Sequence, residues 1–177
     1  SGKVEFASRR LAEHGYDPLP DFVEPPFSPV SRPDLAEEYP LILGSGTRSV
    51  EFYSTLGVEV PRLLKRRPFP TLEMSPETAA DHDLEEGDWV MINSPSTPHG
   101  IRRRVALLAG MHPGMVNAEG LWHMPGEDPT MSALDVGANV LTPLSDDFDP
   151  IMGGSVARCV LCRIRKIEPE EMAAAAE

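Results

Sequence analysis

PLILGSGTRSVEF, residues 40–52, runs from a short apolar stretch into a loop of small polar residues with one cation at its centre. Pro40 to Leu43 is too short for a helix and fits a buried strand. Gly44-Ser45-Gly46-Thr47-Arg48-Ser49 then offers the makings of a binding loop at a strand end. Glycine lets the backbone turn sharply and come close to a ligand. Hydroxyls and free backbone N–H groups suit phosphates and the edges of heterocycles, and Arg adds a planar charged fork. The same residue types also join two strands in a plain turn, so the surrounding sequence decides.

Downstream of this loop, short strands dominate. Val60 to Arg67 reads as a helical turn with Pro61 at its first position. Thr71 to Met74 reads as a strand. Ser75-Pro76-Glu77 opens a short helix, with Ser as the cap, Pro next and Glu in the first turn. Glu85 to Asp88 is a turn. Trp89 to Asn93, Gly100 to Ala109, Met115 to Glu119 and Val156 to Ile167 read as strands, with Asn139 to Thr142 a brief extended stretch. Upstream, Lys3 to Phe6 reads as a strand, and Ser8 to His14 as a helix that Gly15 stops. Asp17 to Pro40 holds seven prolines in 24 residues. Such a segment neither pairs as a central strand nor winds as a helix, and is expected as an extended arm anchored by Tyr16, Phe22 and Phe27. Short strands broken by turns and small helices imply a mainly β, barrel-like fold, not a doubly wound α/β sheet.

Composition narrows the function classes. The 177 residues are 41% hydrophobic and 25% charged, which is ordinary for a globular chain with one substantial core. No apolar run approaches the ~18 residues of a membrane span, and no secretory signal pattern is present. The net charge of −12 repels polyphosphate and argues against a nucleic-acid partner. Residues 41–120 nevertheless hold 8 of the 16 cations, so an anionic ligand is expected there. Arg102-Arg103-Arg104 lies in that third. Alternation lets only Arg102 and Arg104 share a face, and the run reads as solvated or interdomain. Cys159 and Cys162 sit in a strand-like VARCVLCRIRKI and read as ordinary buried or half-buried thiols. The five histidines show no metal-ligand spacing and read as structural or solvent-facing. The chain opens at Ser1, without a methionine, and reads as a piece of a longer protein. Localisation is left open between cytoplasm and periplasm.

Six pieces in order point to a family. SGKVEF (1–6), EYPLILGSGTR (38–48), LEMSPETAADHDLEEGDWVMINSP (72–95), VNAEGLWHMP (116–125), ANVLT (138–142) and DPIMGGSVARCVLCRI (149–164) cover nearly the whole chain. Their order resembles the C-terminal, molybdopterin dinucleotide-binding domain of the dimethyl sulfoxide reductase family of molybdopterin oxidoreductases. The resemblance implies a six-stranded double-psi β-barrel with short flanking helices and a proline-rich N-terminal arm. The expected division is an arm over 1–40, the barrel over 41–168 and a tail over 169–177. It also implies a bis-molybdopterin guanine dinucleotide cofactor carrying Mo or W, shared with other domains. Ser45, Gly46, Thr47 and Arg48 would lie at the cofactor. Asn139 and Thr142 would reach the pterin or its phosphates, Gly120 and Trp122 would line the same cleft, and Arg158 stands where the family shows lysine. Arg and Lys are not interchangeable at such a contact. Ser75 replaces a frequent His, His82-Asp83 the usual Leu-Gly, and Ser155 a frequent Pro. Asp tolerates the left-handed geometry that such a Gly supplies, so the turn is expected to survive. The implied partners are the remaining domains of the same oxidoreductase and an iron–sulfur electron-transfer subunit, with no nucleic acid and no direct membrane insertion.

Read from the residues alone, the chemistry is that of a cradle. Glycine-flanked N–H groups, hydroxyls, amides and a few cations suit a diphosphate and polar heterocycles, and no paired carboxylates stand out for acid–base work. Trp122 follows a glycine and reads equally as a ligand contact or as packing. Two rivals stay open. One is a non-catalytic module docking on a catalytic subunit through the proline arm. The other is a stand-alone enzyme on the same barrel, although neither Asp-Thr-Gly nor Asp-Ser-Gly occurs.

Overall fold

The computed structural model describes residues 2–46, 49–53, 56–120, 122, 132–143, 149–155 and 159–174. Six strands are described: β1 (Leu41–Ser45), β2 (Thr71–Met74), β3 (Trp89–Ser94), β4 (Thr97–Leu107), β5 (Met115–Ala118) and β6 (Val160–Lys166). They close into a barrel in the order β1-β5-β2-β4-β3-β6. Two pairs, β1–β5 and β2–β4, are parallel, and the others are antiparallel. This is the mainly β, six-stranded barrel that the sequence implies.

Alternation fills the interior. Leu41 and Leu43, Leu72 and Met74, Val90 and Ile92, and Val116 and Ala118 are buried at every second position, with more exposed residues between them. Each fully buried aliphatic side chain of this size contributes about 1.5–3 kcal/mol. A second apolar cluster joins Phe52, Val58, Trp122 and Val136, with Phe69 and Trp89 against it.

The helices are short, and their ends follow the capping rules. In α1 (Arg9–Glu13) the Ser8 hydroxyl accepts from the Leu11 N–H at 3.3 Å. The arm is not wholly extended: Pro33 opens a single turn, α2 (Pro33–Ala36), because a first-turn proline lacks only an N–H the helix does not use. The expectation that the arm winds no helix is corrected here. Phe22 is also no anchor within this chain, being 79% exposed, while the Tyr16 hydroxyl donates to the Pro150 carbonyl at 3.4 Å. A third turn, α3 (Pro61–Leu64), starts at Pro61 as expected. In α4 (Pro76–Asp81) buried Ser75 caps the helix, accepting from the Thr78 N–H at 3.0 Å. Ser75→Ala is expected to cost about 1 kcal/mol, read as a lower urea midpoint at unchanged slope. Asp83 takes φ +53, the left-handed turn expected of it.

Three further expectations change. Residues 3–6 form no strand, because the barrel closes on itself and offers no free edge to pair with. After α5 (Ala133–Val136), the stretch read as extended is a 3-10 turn, Ala138–Leu141. Side-chain hydroxyls hold it: Thr97 Oγ1 donates to the Val140 carbonyl at 2.6 Å, and Ser94 Oγ to the Leu141 carbonyl at 2.9 Å. The tail carries α6 (Pro169–Ala174), pinned by a two-pronged Arg165–Glu171 ion pair.

Candidate functional site

Strand register brings the motif ends to one end of the barrel. Ser45, the last residue of β1, pairs with Ala118, the last of β5. Ala118 also pairs with Leu72 at the start of β2, and Leu43 pairs with Val160, the first residue of β6. Thr71 pairs with Arg104, midway along β4, so the first half of β4 and its hairpin with β3 extend past this same end. The 3-10 turn carrying Asn139 is bonded to that hairpin's tip.

Of the residues singled out from sequence, Ser45, Gly46, Gly120, Trp122, Asn139 and Thr142 are described. Thr47, Arg48 and Arg158 lie outside the described residues. Gly46 and Gly120 meet backbone to backbone: a Cβ on Gly120 would stand 3.1 Å from the Gly46 Cα and 3.4 Å from its nitrogen. Gly46 has φ +97, a conformation that side chains oppose. Ser45 and Gly46 line a groove of about 380 Å³ with Ile42, Gly44, Met115 and Cys159, a size within the usual range of ligand clefts, about 300–1,000 Å³. Asn139 is exposed on its turn, and Thr142, at the end of that turn, is half-buried. Trp122 is 3% exposed and packs edge-on against Phe52, with ring centroids 5.5 Å apart. A larger cleft of about 760 Å³ lies under the arm between Phe6, Leu11, Tyr16, Leu19 and Ile151. Its lining is mostly apolar and it contains no glycine turn.

The arginine run contains what the sequence reading missed. Arg102 pairs with Asp135 at 3.3 Å, and Arg104 stacks over Phe69 while donating to the Gly87 carbonyl at 2.8 Å. Arg103 is not solvated: it is wholly buried between Ile101 and Val105. Burial pushes its guanidinium down to about 9, against the pull of the Glu119 carboxylate, so it stays charged at neutral pH. Glu119 is 2% exposed and accepts from Arg67 Nε at 3.2 Å, while Arg67 Nη2 reaches Thr71 Oγ1 at 3.0 Å. A signal for this was present. Ile101 and Val105 are apolar, and alternation places the residue midway between them on the same side.

The cysteines behave as read. Cys162 is fully buried, which pushes its thiol pKa up, and Cys159 is half-exposed. Among the described residues no group of His, Cys, Asp or Glu is arranged to hold a metal. No described helix is long and apolar enough to cross a membrane.

The family model described as Molydopterin dinucleotide binding domain matches residues 41–160. The chain belongs to this family. The molybdopterin dinucleotide-binding domain found here has relatives among much longer proteins. Acetylene hydratase of Syntrophotalea acetylenica is 38% identical over 100 residues, covering 56% of this chain and 13% of that protein. Dopamine dehydroxylase of Eggerthella lenta is 32% identical over 159 residues, covering 86% of this chain and 15% of the other. The solved structure of acetylene hydratase from Pelobacter acetylenicus superposes with a TM-score of 0.81 at 26% identity, over 94% of this chain and 24% of that one. The molybdopterin dinucleotide-binding domain thus spans about a seventh of the curated relatives it matches. A molybdopterin-type cofactor is its ligand class, and its relatives include oxidoreductases.

Proposed function

We propose that this domain holds the guanine-dinucleotide arm of a bis-molybdopterin guanine dinucleotide cofactor, with Mo or W at its centre, in a larger oxidoreductase. When bound, the metal centre supplies the redox and Lewis-acid chemistry, and this chain supplies binding and orientation. The observation that carries the reading is the convergence at one barrel end of the Gly46–Gly120 backbone contact, the Ser45 end of a groove along β1 and the exposed residue Asn139. A narrow glycine corner lets N–H groups approach a diphosphate, and an exposed amide offers both a donor and an acceptor to a heterocycle edge. The relatives are named for hydration of acetylene and dehydroxylation of dopamine. A segment similar to both fits a role common to different reactions, such as holding a cofactor. In this reading Thr47, Arg48 and Arg158 complete the anion contacts, and catalysis lies in domains outside this chain.

Calorimetric titration with guanosine diphosphate tests this. Binding to the wild-type chain is expected. Asn139→Ala should weaken it about three- to tenfold, the loss of one hydrogen-bonding group, and Gly46→Val about tenfold or more, through strain at φ +97. Absence of binding both by the wild-type chain and by the full oxidoreductase would overturn the reading. The exposed apolar arm supports a second role beside the first. Val4, Phe6, Phe22 and Val23 are 79–85% exposed, a surface suited to packing on the remaining domains or on a catalytic subunit. Co-purification with a large subunit, in a form lost on deleting residues 1–30, is the measurement that separates docking from cofactor binding. An iron–sulfur electron-transfer subunit is a further partner under this reading.

A further inference from the structure

The segment between β1 and β2 folds back on the barrel and touches it on both sides of Gly120. Its Phe52 is buried and meets Trp122, two residues after Gly120, with ring centroids 5.5 Å apart. Helical bonding runs on past α3, the Arg67 N–H donating to the Leu63 carbonyl at 3.2 Å. That spacing sorts the side chains. Leu63 and Leu64 pack against the Phe52–Trp122 cluster and Arg67 is half-buried, whereas Arg62, Lys65 and Arg66 are exposed. Arg67 is therefore turned toward the barrel. It meets a partner there, Glu119, one residue before Gly120.

The contact sits where the backbone ladder gives out. The last register pair of β5 with β2 at this end is Ala118 with Leu72. Beyond it the Glu119 N–H reaches the Thr71 carbonyl at only 3.4 Å, a weak tie. The Arg67 guanidinium spans the same two residues: Nε donates to Glu119 Oε2 at 3.2 Å and Nη2 to Thr71 Oγ1 at 3.0 Å. Glu119 is 2% exposed, and among the described residues its Oε1 has no hydrogen-bond partner, so the hydrogen bonding of this buried carboxylate falls to Arg67. A charged bond to a buried acceptor outweighs an exposed ion pair. Gly120 thus lies between two fastenings, polar at 119 and apolar at 122, and its backbone rests on Gly46.

We propose that Arg67 is a positioning residue: it fastens Glu119 to the start of β2 and so sets Gly120 against Gly46 at the ligand end. The segment that leaves β1 beside Gly46 thereby returns to fix the residue that rests on Gly46. Its consequence for ligand affinity rests on the proposed reading of that end as a dinucleotide site; its consequence for the glycine corner does not.

Hydrogen exchange on the chain tests the positioning without any ligand. In Arg67→Met, amides in 44–46 and 118–120 are expected to exchange about tenfold faster or more, while those of β3 and β6 keep their wild-type protection. Arg67→Lys keeps the charge but lacks the planar fork that reaches Glu119 and Thr71 together, so it should recover only a minor part of the protection. Arg62→Met, which removes an exposed cation from the same turn, should leave the pattern unchanged. Guanosine diphosphate affinity should fall about three- to tenfold in Arg67→Met, and adding Glu119→Gln should weaken it little further, because both act through one contact. Unchanged exchange at the two glycine segments overturns the proposal. So does full recovery in Arg67→Lys, an equal rise in Arg62→Met, or a uniform rise across all six strands. Loss of the whole fold in both Arg67→Met and Arg67→Lys overturns it too, since Arg67 is then a general prop. If wild-type protein fails to bind the nucleotide but the exchange pattern appears, the ligand reading fails and the positioning role stands.

Discussion

Gly100→Ala is expected to destabilise the barrel by about 3 kcal/mol or more, measured as a fall in the urea midpoint. Two independent costs combine. Gly100 sits at φ +72, where an L side chain is strained. A Cβ there would also stand 2.5 Å from the Ile92 carbonyl oxygen, 2.6 Å from Asn93 Nδ2 and 3.0 Å from Met91 Sδ. The first is backbone of β3, which is paired on both sides and cannot retreat without disturbing β4 and β6. The second is already committed, since Asn93 Nδ2 donates to the Pro98 carbonyl at 2.6 Å. The register between β3 and β4 shifts just beyond Ile92, so this glycine lies where the hairpin departs from regular pairing. A loss below about 1 kcal/mol would show that the close approach is not real.

Glu119→Ala is the second large effect, about 3–5 kcal/mol of lost stability. The substitution strips Arg103 of its counter-charge while leaving the guanidinium inside the barrel, and it releases Arg67 from the rim. A buried charge without a partner is among the costliest defects a core can carry. The reverse truncation is predicted to be mild. Arg103→Met removes the desolvated ion and leaves Glu119 with Arg67, so its stability should stay within about 1 kcal/mol of wild type or rise. Urea unfolding of both variants decides the matter. Equal losses, or a small loss for Glu119→Ala, would mean that the two buried charges are not coupled.

The two arginine-run outcomes mark where the sequence was legible and where it was not. The strands from Thr71, Trp89 and Met115 could be read because each shows the alternation of a half-buried surface, and α4 because Ser75-Pro76 is a local signal. The left-handed turn at Asp83 was legible through the family resemblance, since Asp stands where the family shows Gly and tolerates the same geometry. Arg103 was lost because three like residues in a row were weighed as a run. The carboxylate whose charge acts on it, Glu119, lies just past the end of β5, 16 residues on. KVEF has the composition of a strand, but strand formation needs a neighbour, and a closed barrel has none to spare. Asn139 to Thr142 turned out helical because Thr97 and Ser94 hydroxyls take up the carbonyls of Val140 and Leu141, a long-range arrangement invisible to local reading. At the candidate site, the backbone contact between Gly46 and Gly120 joins two loops more than 70 residues apart, and like the packing of Trp122 on Phe52 it is a tertiary event that no local reading supplies.

Within the barrel, the strand synthesised first waits longest for its partners. β1 hydrogen-bonds to β5 and β6 and to no strand nearer in sequence, so residues 41–45 await partners that begin 70 and 115 positions later. Until Val160–Lys166 arrives, both flanks of an incomplete sheet stay open to rogue pairing. The final strand therefore acts as a latch. Maturation of this domain belongs with slow, non-local folders on the millisecond-to-second scale, and any truncation that removes the latch leaves a sticky, unsealed shell instead of a smaller barrel.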